Sequence, residues 1–223
     1  MSTFPGSPRL IKGAIVTLQA PSYNQIESTI AFQYNPDSLS RSLNAEATKE
    51  SAGAPSPETL LNRTPRETIN LNVVIDAIDQ LEKGDRTALE LGIYPQLSAL
   101  EVLMYPKSDL VKAANQRTQQ GVLEINPLAA PVTLLIWGDK RVLPVRLTGF
   151  TVNEEYHDIR LNPIRAEVSL NLQVLTYSDV PWEEQRAKLF FAHQISKERM
   201  AAKANISNVR EITGVNVAGR LRG

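Results

Sequence analysis

From Ile164 to Thr176 the chain alternates almost without error. Ile164, Ala166, Val168, Leu170, Leu172 and Val174 interleave with Arg165, Glu167, Ser169, Asn171 and Gln173. A period of two belongs to extended backbone, so this run predicts one long strand with an oily face and a wet face. At ~3.3 Å per residue it would reach about 40 Å, roughly twice an ordinary strand of ~5–6 residues. A strand of that length is expected to outrun its own domain and to continue its ladder onto another copy.

The rest of the chain supplies partners for it. Gly13 to Leu18 is a short apolar run, Ala20-Pro21-Ser22-Tyr23-Asn24 carries turn chemistry, and Ile26, Ile30, Phe32 and Tyr34 share one side of the next segment, which reads as a hairpin. Asn35-Pro36-Asp37 ends that strand, because proline cannot donate to a ladder and Asn and Asp close turns with their side chains. Leu39–Leu43, Thr68–Asp76, Val132–Trp137 and Val142–Tyr156 read as further strands, the last two joined by the turn Gly138-Asp139-Lys140-Arg141. Gly149 suggests a bulge and Pro144 an edge position.

Tyr94-Pro95 opens a helix over about residues 94–105, with Ile93, Leu97, Leu100 and Met104 as its buried stripe and Pro106 as its end. Ser108–Gly121 predicts a weak, exposed helix, and Trp182–Met200 an amphipathic one through Leu189, Phe190, His193 and Arg199. Residues 44–63 are polar and broken by Gly53-Ala54-Pro55-Ser56-Pro57, a loop long enough to be functional or mobile. The expected class is mainly β with flanking helices, a β-rich α+β fold. A barrel-like domain would span residues 1–180, and a helix and tail extension residues 181–223.

Composition removes several functions. Among 223 residues Lys plus Arg equal Asp plus Glu at 24 each, so the molecule lacks the positive field that binding nucleic acid exploits. The absence of cysteine rules out disulfides, thiolate nucleophiles and thiolate metal sites. No run of ~18 apolar residues could span a bilayer and the first residues do not form a leader, so assembly in the cytoplasm without membrane insertion is expected.

The chemistry-bearing residues are sparse. His157, in Glu154-Glu155-Tyr156-His157-Asp158, could serve a metal or an acid–base pair, but it lacks a second ligand cluster and reads as part of a solvated turn. His193, beside Phe190 on a helix, reads as a packing residue. Phosphate-binding, dinucleotide-binding and nucleophile-elbow motifs are missing. No catalytic, metal or cofactor site is expected.

Three landmarks in order carry a family resemblance. They are a strand ending Phe32-Gln33-Tyr34-Asn35-Pro36, a strand ending Trp137-Gly138, and Leu161-Asn162-Pro163-Ile164-Arg165-Ala166-Glu167-Val168 leading into the long strand. With the opening Phe4-Pro5-Gly6-Ser7-Pro8-Arg9-Leu10-Ile11-Lys12-Gly13, the chain resembles over about residues 4–200 the tube-protein domain of contractile injection systems, in particular the tube-initiating baseplate subunit of the antifeeding-prophage type.

The resemblance implies a barrel of two packed sheets, assembled as a homohexameric ring between a spike hub and the inner tube within a particle that is either membrane-anchored or released. Other baseplate subunits would be further neighbours. Relatives carrying a C-terminal LysM module recognise glycan, but Ala201–Gly223 is too short for one. The candidate subunit-interface residues are Asn35, Pro36, Asn162 and Pro163, as turns that set register, and Arg165, Glu167, Ser169 and Asn171, on the wet face of the long strand. The main tube shaft and a monomeric ligand-binding barrel are the alternatives.

Overall fold

The computed structural model describes residues 11–19, 25–45, 64–120 and 132–204. Its strands are β1 (Ala14–Leu18), β2 (Ile26–Ala31), β3 (Leu39–Asn44), β4 (Arg66–Asp76), β5 (Val132–Ile136), β6 (Val142–His157) and β7 (Pro163–Val174). All pair antiparallel in one seven-stranded sheet of order β2-β1-β5-β6-β7-β4-β3. The mainly β class with flanking helices is therefore as expected, realised as one continuous sheet. It is strongly curled, since β2 and β4 lie far apart in strand order and yet the side chain of Gln33, just past β2, accepts from the Asp76 N–H at 3.0 Å. Flat strands ~4.8 Å apart could not bring them together.

The concave side holds the core. Ile15, Ile69, Leu71, Val73, Leu135, Leu143, Val168, Leu170 and Leu172 are buried in one cluster, and the even-numbered apolar row of β7 supplies its middle. Helix α3 (Tyr94–Glu101), followed by a 3-10 turn at Val102–Met104, fills the curl with Ile93, Leu97, Leu100 and Leu103. The 3-10 turn shifts the stripe by one residue, so Leu103 is buried where Met104 was expected, and Met104 is exposed.

Two short helices were not foreseen, α1 (Ile78–Glu82) and α2 (Arg86–Leu91). The Asp85 side chain caps α2 by accepting from the Ala88 N–H at 2.9 Å. Helix α4 (Ser108–Gln119) has no buried residue, as its composition suggested. Helix α5 (Gln185–Lys203) buries Ala187, Phe190 and His193 against the sheet.

Two expectations need correction. β7 is hydrogen-bonded on both sides within the chain, to β6 along its length and to β4 over Arg165–Gln173, so its ladder cannot continue into another copy. Its length is matched by β6, at 16 residues, and β4, at 11. β6 is the strand that outruns a neighbour, because β5 pairs only with Val142–Val145. Pro144 lies opposite Leu134 inside the sheet and not at an edge, and its carbonyl accepts from the Leu175 N–H at 2.8 Å. Proline lacks only the donor, so one face of the ladder still forms. The Gly149 bulge is present, as a register shift between Leu147 and Gly149. A Cβ there would stand 2.5 Å from Asn171 Nδ2.

Candidate subunit interface

The predicted interface residues separate into two neighbourhoods. Asn35, Pro36, Arg165 and Glu167 line one polar cleft of about 480 Å³, together with Asp37 and Asp76. Asn35 is held firmly: its Oδ1 accepts from the Gly13 N–H at 2.8 Å and its Nδ2 donates to the Ile11 carbonyl at 2.8 Å, pinning the turn to the strand that precedes β1. Arg165 donates through Nε to Glu155 Oε2 at 2.8 Å. Ser169 and Asn171 continue the same face of β7 beyond the cleft, where Ser169 Oγ donates to Asn72 Oδ1 at 2.9 Å. The cross-strand pairs Asn72–Ser169 and Asn70–Asn171 make this convex face polar and mostly uncharged.

Asn162 and Pro163 sit elsewhere, at the foot of the β6–β7 hairpin. Asp158 organises this tip by accepting from the N–H groups of Arg160 (2.7 Å) and Asn162 (2.9 Å) and from Asn162 Nδ2 (2.9 Å). These hydrogen bonds hold the Asp158 carboxyl below its usual range, those from Asn162 most of all. The tip is also tied to α2, where Arg160 Nη2 donates to the Leu89 carbonyl at 2.8 Å and Asn162 Nδ2 to that of Glu90 at 3.0 Å. Ile93 N–H donates to the Pro163 carbonyl at 2.8 Å, so close that a Cβ on Gly92 would lie 2.1 Å from that oxygen. Gly92 has φ of +57°, and only glycine meets both demands comfortably. Leu161 takes φ of +64° without that freedom.

Sequence reasoning missed a buried charge cluster at the other end of the barrel. Glu67 continues the inward row of β4 (67, 69, 71, 73, 75) and is only 2% exposed. Arg41 of β3 donates to its Oε1 at 2.7 Å, and Lys197 of α5 to its Oε2 at 3.1 Å. Burial raises the Glu67 pKa, but the hydrogen bonds and charges of Arg41 and Lys197 together outweigh that and hold it below the carboxylate norm. His193 lies beside this group with Nε2 buried and unpartnered among the described residues. Desolvation, then the Lys197 charge, depress its pKa; Arg41 and Arg141 act the same way and Glu67 opposes them. The signal is parity: Glu67 shares the face of Ile69 and lies one residue before the strand that alternation predicts over Thr68–Asp76.

The histidine in the hairpin, His157, is within 3.2 Å of Glu154 Oε2 on an exposed strand end. Among the described residues no group of three or more His, Asp or Glu could hold a metal, and no helix is long and apolar enough to cross a membrane. Loop 46–63 and the tail from residue 205 lie outside the described residues.

The site therefore lies on a curled antiparallel sheet with exposed outer strands and a polar convex face. The family model of the contractile injection system tube protein matches residues 9–179, and the chain belongs to that family. It is a structural component of a phage-tail-like particle and not an enzyme. No curated protein matches the chain. Two solved structures are similar at low level: the virion of a native gene transfer agent particle (14% identity, TM-score 0.27) and the tail of an empty gene transfer agent particle computed with C6 symmetry (15%, TM-score 0.26), each covering 73% of this chain and 90% of the other. Likeness at that level adds nothing to the family assignment.

Proposed function

We propose that this subunit forms a hexameric ring that joins the spike hub to the inner tube and templates tube polymerisation. The observation that carries this reading is α5. It begins at Gln185, beyond the family match, and lies across the rim of the barrel where β4 starts, with Phe190 in the main core and Lys197 on Glu67. A rim occupied by a helix leaves the opposite rim for growth, which suits an initiating layer better than a repeating shaft subunit.

Ring formation is supported by the outer strands. Among the described residues β2 and β3 are hydrogen-bonded on one side only, and nearly all their residues are exposed. Such edges invite pairing with a further chain, and head-to-tail contacts close into a ring when the rotation permits. The polar face carrying Ser169 and Asn171 would then line the channel, and the cleft at Asn35, Pro36, Arg165 and Glu167 would receive a neighbour. Electron microscopy of the purified protein tests this: rings that stop at one layer support the initiator, long filaments support the shaft, and a monomer at every concentration overturns both.

A further inference from the structure

The rim that carries α5 holds more positive charge than its buried carboxylate can answer. Arg41 of β3 and Lys197 of α5 both bond Glu67, and Arg141, in the turn that leads into β6, is a third cation whose guanidinium feels the charges of Arg41 and Glu67. Three cations against one carboxylate leave two positive charges over, and both Glu67 oxygens are already used. The Arg141 guanidinium is half-buried, yet it makes no hydrogen bond or ion pair among the described residues. Burial and the Arg41 charge both work against its charged form.

A second observation at the same place points the same way. His193 is 9% exposed, and its Nε2 is buried without a hydrogen-bond partner among the described residues. The strongest charges bearing on it are Lys197 on α5, Arg41 on β3 and Arg141 before β6, with Glu67 on β4 opposing them. Cations that keep a buried imidazole from charging mark a place short of negative charge. The surplus is reachable, since the Arg41 and Lys197 side chains are 28% and 35% exposed. A guanidinium carries five donors and an ammonium three, so after Glu67 is served each keeps donors for another acceptor.

We propose that the rim carrying Arg41, Arg141 and Lys197 receives a carboxylate-rich segment of the protein stacked on the α5 side of the ring. This rests on the ring reading given above for the partner's position and adds the chemistry that recognises it. The three cations stand on three separate parts of the fold, so two carboxylates spaced along one chain answer them better than a single small anion does. Such a segment supplies acceptors to Arg141 without competing for Glu67, which stays in its own clamp. Anions beside His193 also favour its protonated form, so docking draws a proton onto the imidazole and tightens as pH falls.

The chain's two histidines lie at opposite ends of the barrel, His193 at this rim and His157 at the hairpin, roughly 30 Å of strand away. A hexaglutamate peptide is titrated into the 223-residue chain while the imidazole resonances are followed by NMR across pH. The His193 titration should move upward at saturating peptide, and the His157 resonance should not respond. Arg141→Gln should weaken peptide binding about ten-fold. Arg165→Gln removes the same charge at the far end, beyond a Debye length, and should leave binding within about two-fold. Equal losses from the two variants, or a His193 resonance that ignores the peptide, would overturn the proposal. Inorganic phosphate that moves His193 as far as the peptide does makes this a small-anion site and overturns it too. So does a peptide that binds only the Glu46→Gln, Glu50→Gln, Glu58→Gln protein, because the chain's own segment between β3 and β4 then answers the surplus. Peptide binding as expected by a protein that electron microscopy shows as filaments or monomers removes the ring reading and upholds the acidic contact; rings from a protein that ignores the peptide remove the contact alone.

Discussion

The two ends of this barrel invert the usual distribution of residues. At the β4 start a carboxylate, Glu67, is buried with Arg41 and Lys197 closing over it, while at the hairpin end Ile159 and Leu161 stand fully in water. The buried charges are complete inside one chain, because both Glu67 oxygens are used by partners on β3 and α5. The exposed aliphatics have nothing over them within the described residues. The first end is therefore held together by folding alone, whereas the second contributes little to the packed core. Substitutions at the charged end should therefore cost far more stability than those at the tip.

The sharpest way to break this contrast is Glu67→Ala, which leaves Arg41 and Lys197 without their shared carboxylate. Stripping one partner from a buried pair costs ~3–5 kcal/mol, and since Arg41 and Lys197 are partly solvated the lower figure, about 3 kcal/mol, is expected in chemical denaturation. A loss under 1 kcal/mol would mean that α5 is not anchored there. Next is Gly92→Ala, where the new methyl meets the Pro163 carbonyl and the backbone resists φ of +57°. About 2 kcal/mol should be lost, and hydrogen exchange should rise at the Ile93 amide before it rises in β7.

Acid should separate the two ends as well. His193 and Glu67 both have folded pKa values below their unfolded ones, so each contributes stability that is present above the unfolded pKa and lost as pH falls. Falling pH should weaken the fold from near pH 6.5 through His193, whose protonation is opposed by Lys197, Arg41 and Arg141 and favoured by Glu67, and then from near pH 4.5 through Glu67 itself. His193→Leu should flatten the first part of that profile, read as thermal midpoint against pH, and leave the second. The smallest effect is expected from Leu161→Asn. It relieves the left-handed backbone and removes only an exposed side chain, so stability should stay within ~1 kcal/mol of wild type or rise.

How much of this was legible depends on whether a signal was local. The alternation of Ile164–Thr176, the bulge at Gly149 and the helix opened by Tyr94-Pro95 were readable because side-chain period and backbone chemistry act within a few residues. Whether β7 lies at an edge or in the middle was not, since that depends on the lengths of β4 and β6, elements distant in sequence. Helices α1 and α2 are too short for a helical period, and only the Asp85 cap announced one of them. For the interface candidates, the turn chemistry of Asn35-Pro36 and Asn162-Pro163 was visible. That the first pair shares a cleft with Arg165 while the second is bolted to α2 follows from the curl of the sheet. The strain at Leu161 could not be read at all, because leucine gives no hint of a left-handed turn.

The β6–β7 ladder runs from Val145 opposite Val174 to His157 opposite Pro163, nearly the full length of both strands. A pull on the hairpin tip directed along the strands would draw β6 and β7 together and load in shear the β5–β6 and β4–β7 ladders, whose hydrogen bonds share the force instead of peeling one at a time. Such a hairpin is stiff along its axis and most pliable where the register shifts, at Gly149 and near Tyr156.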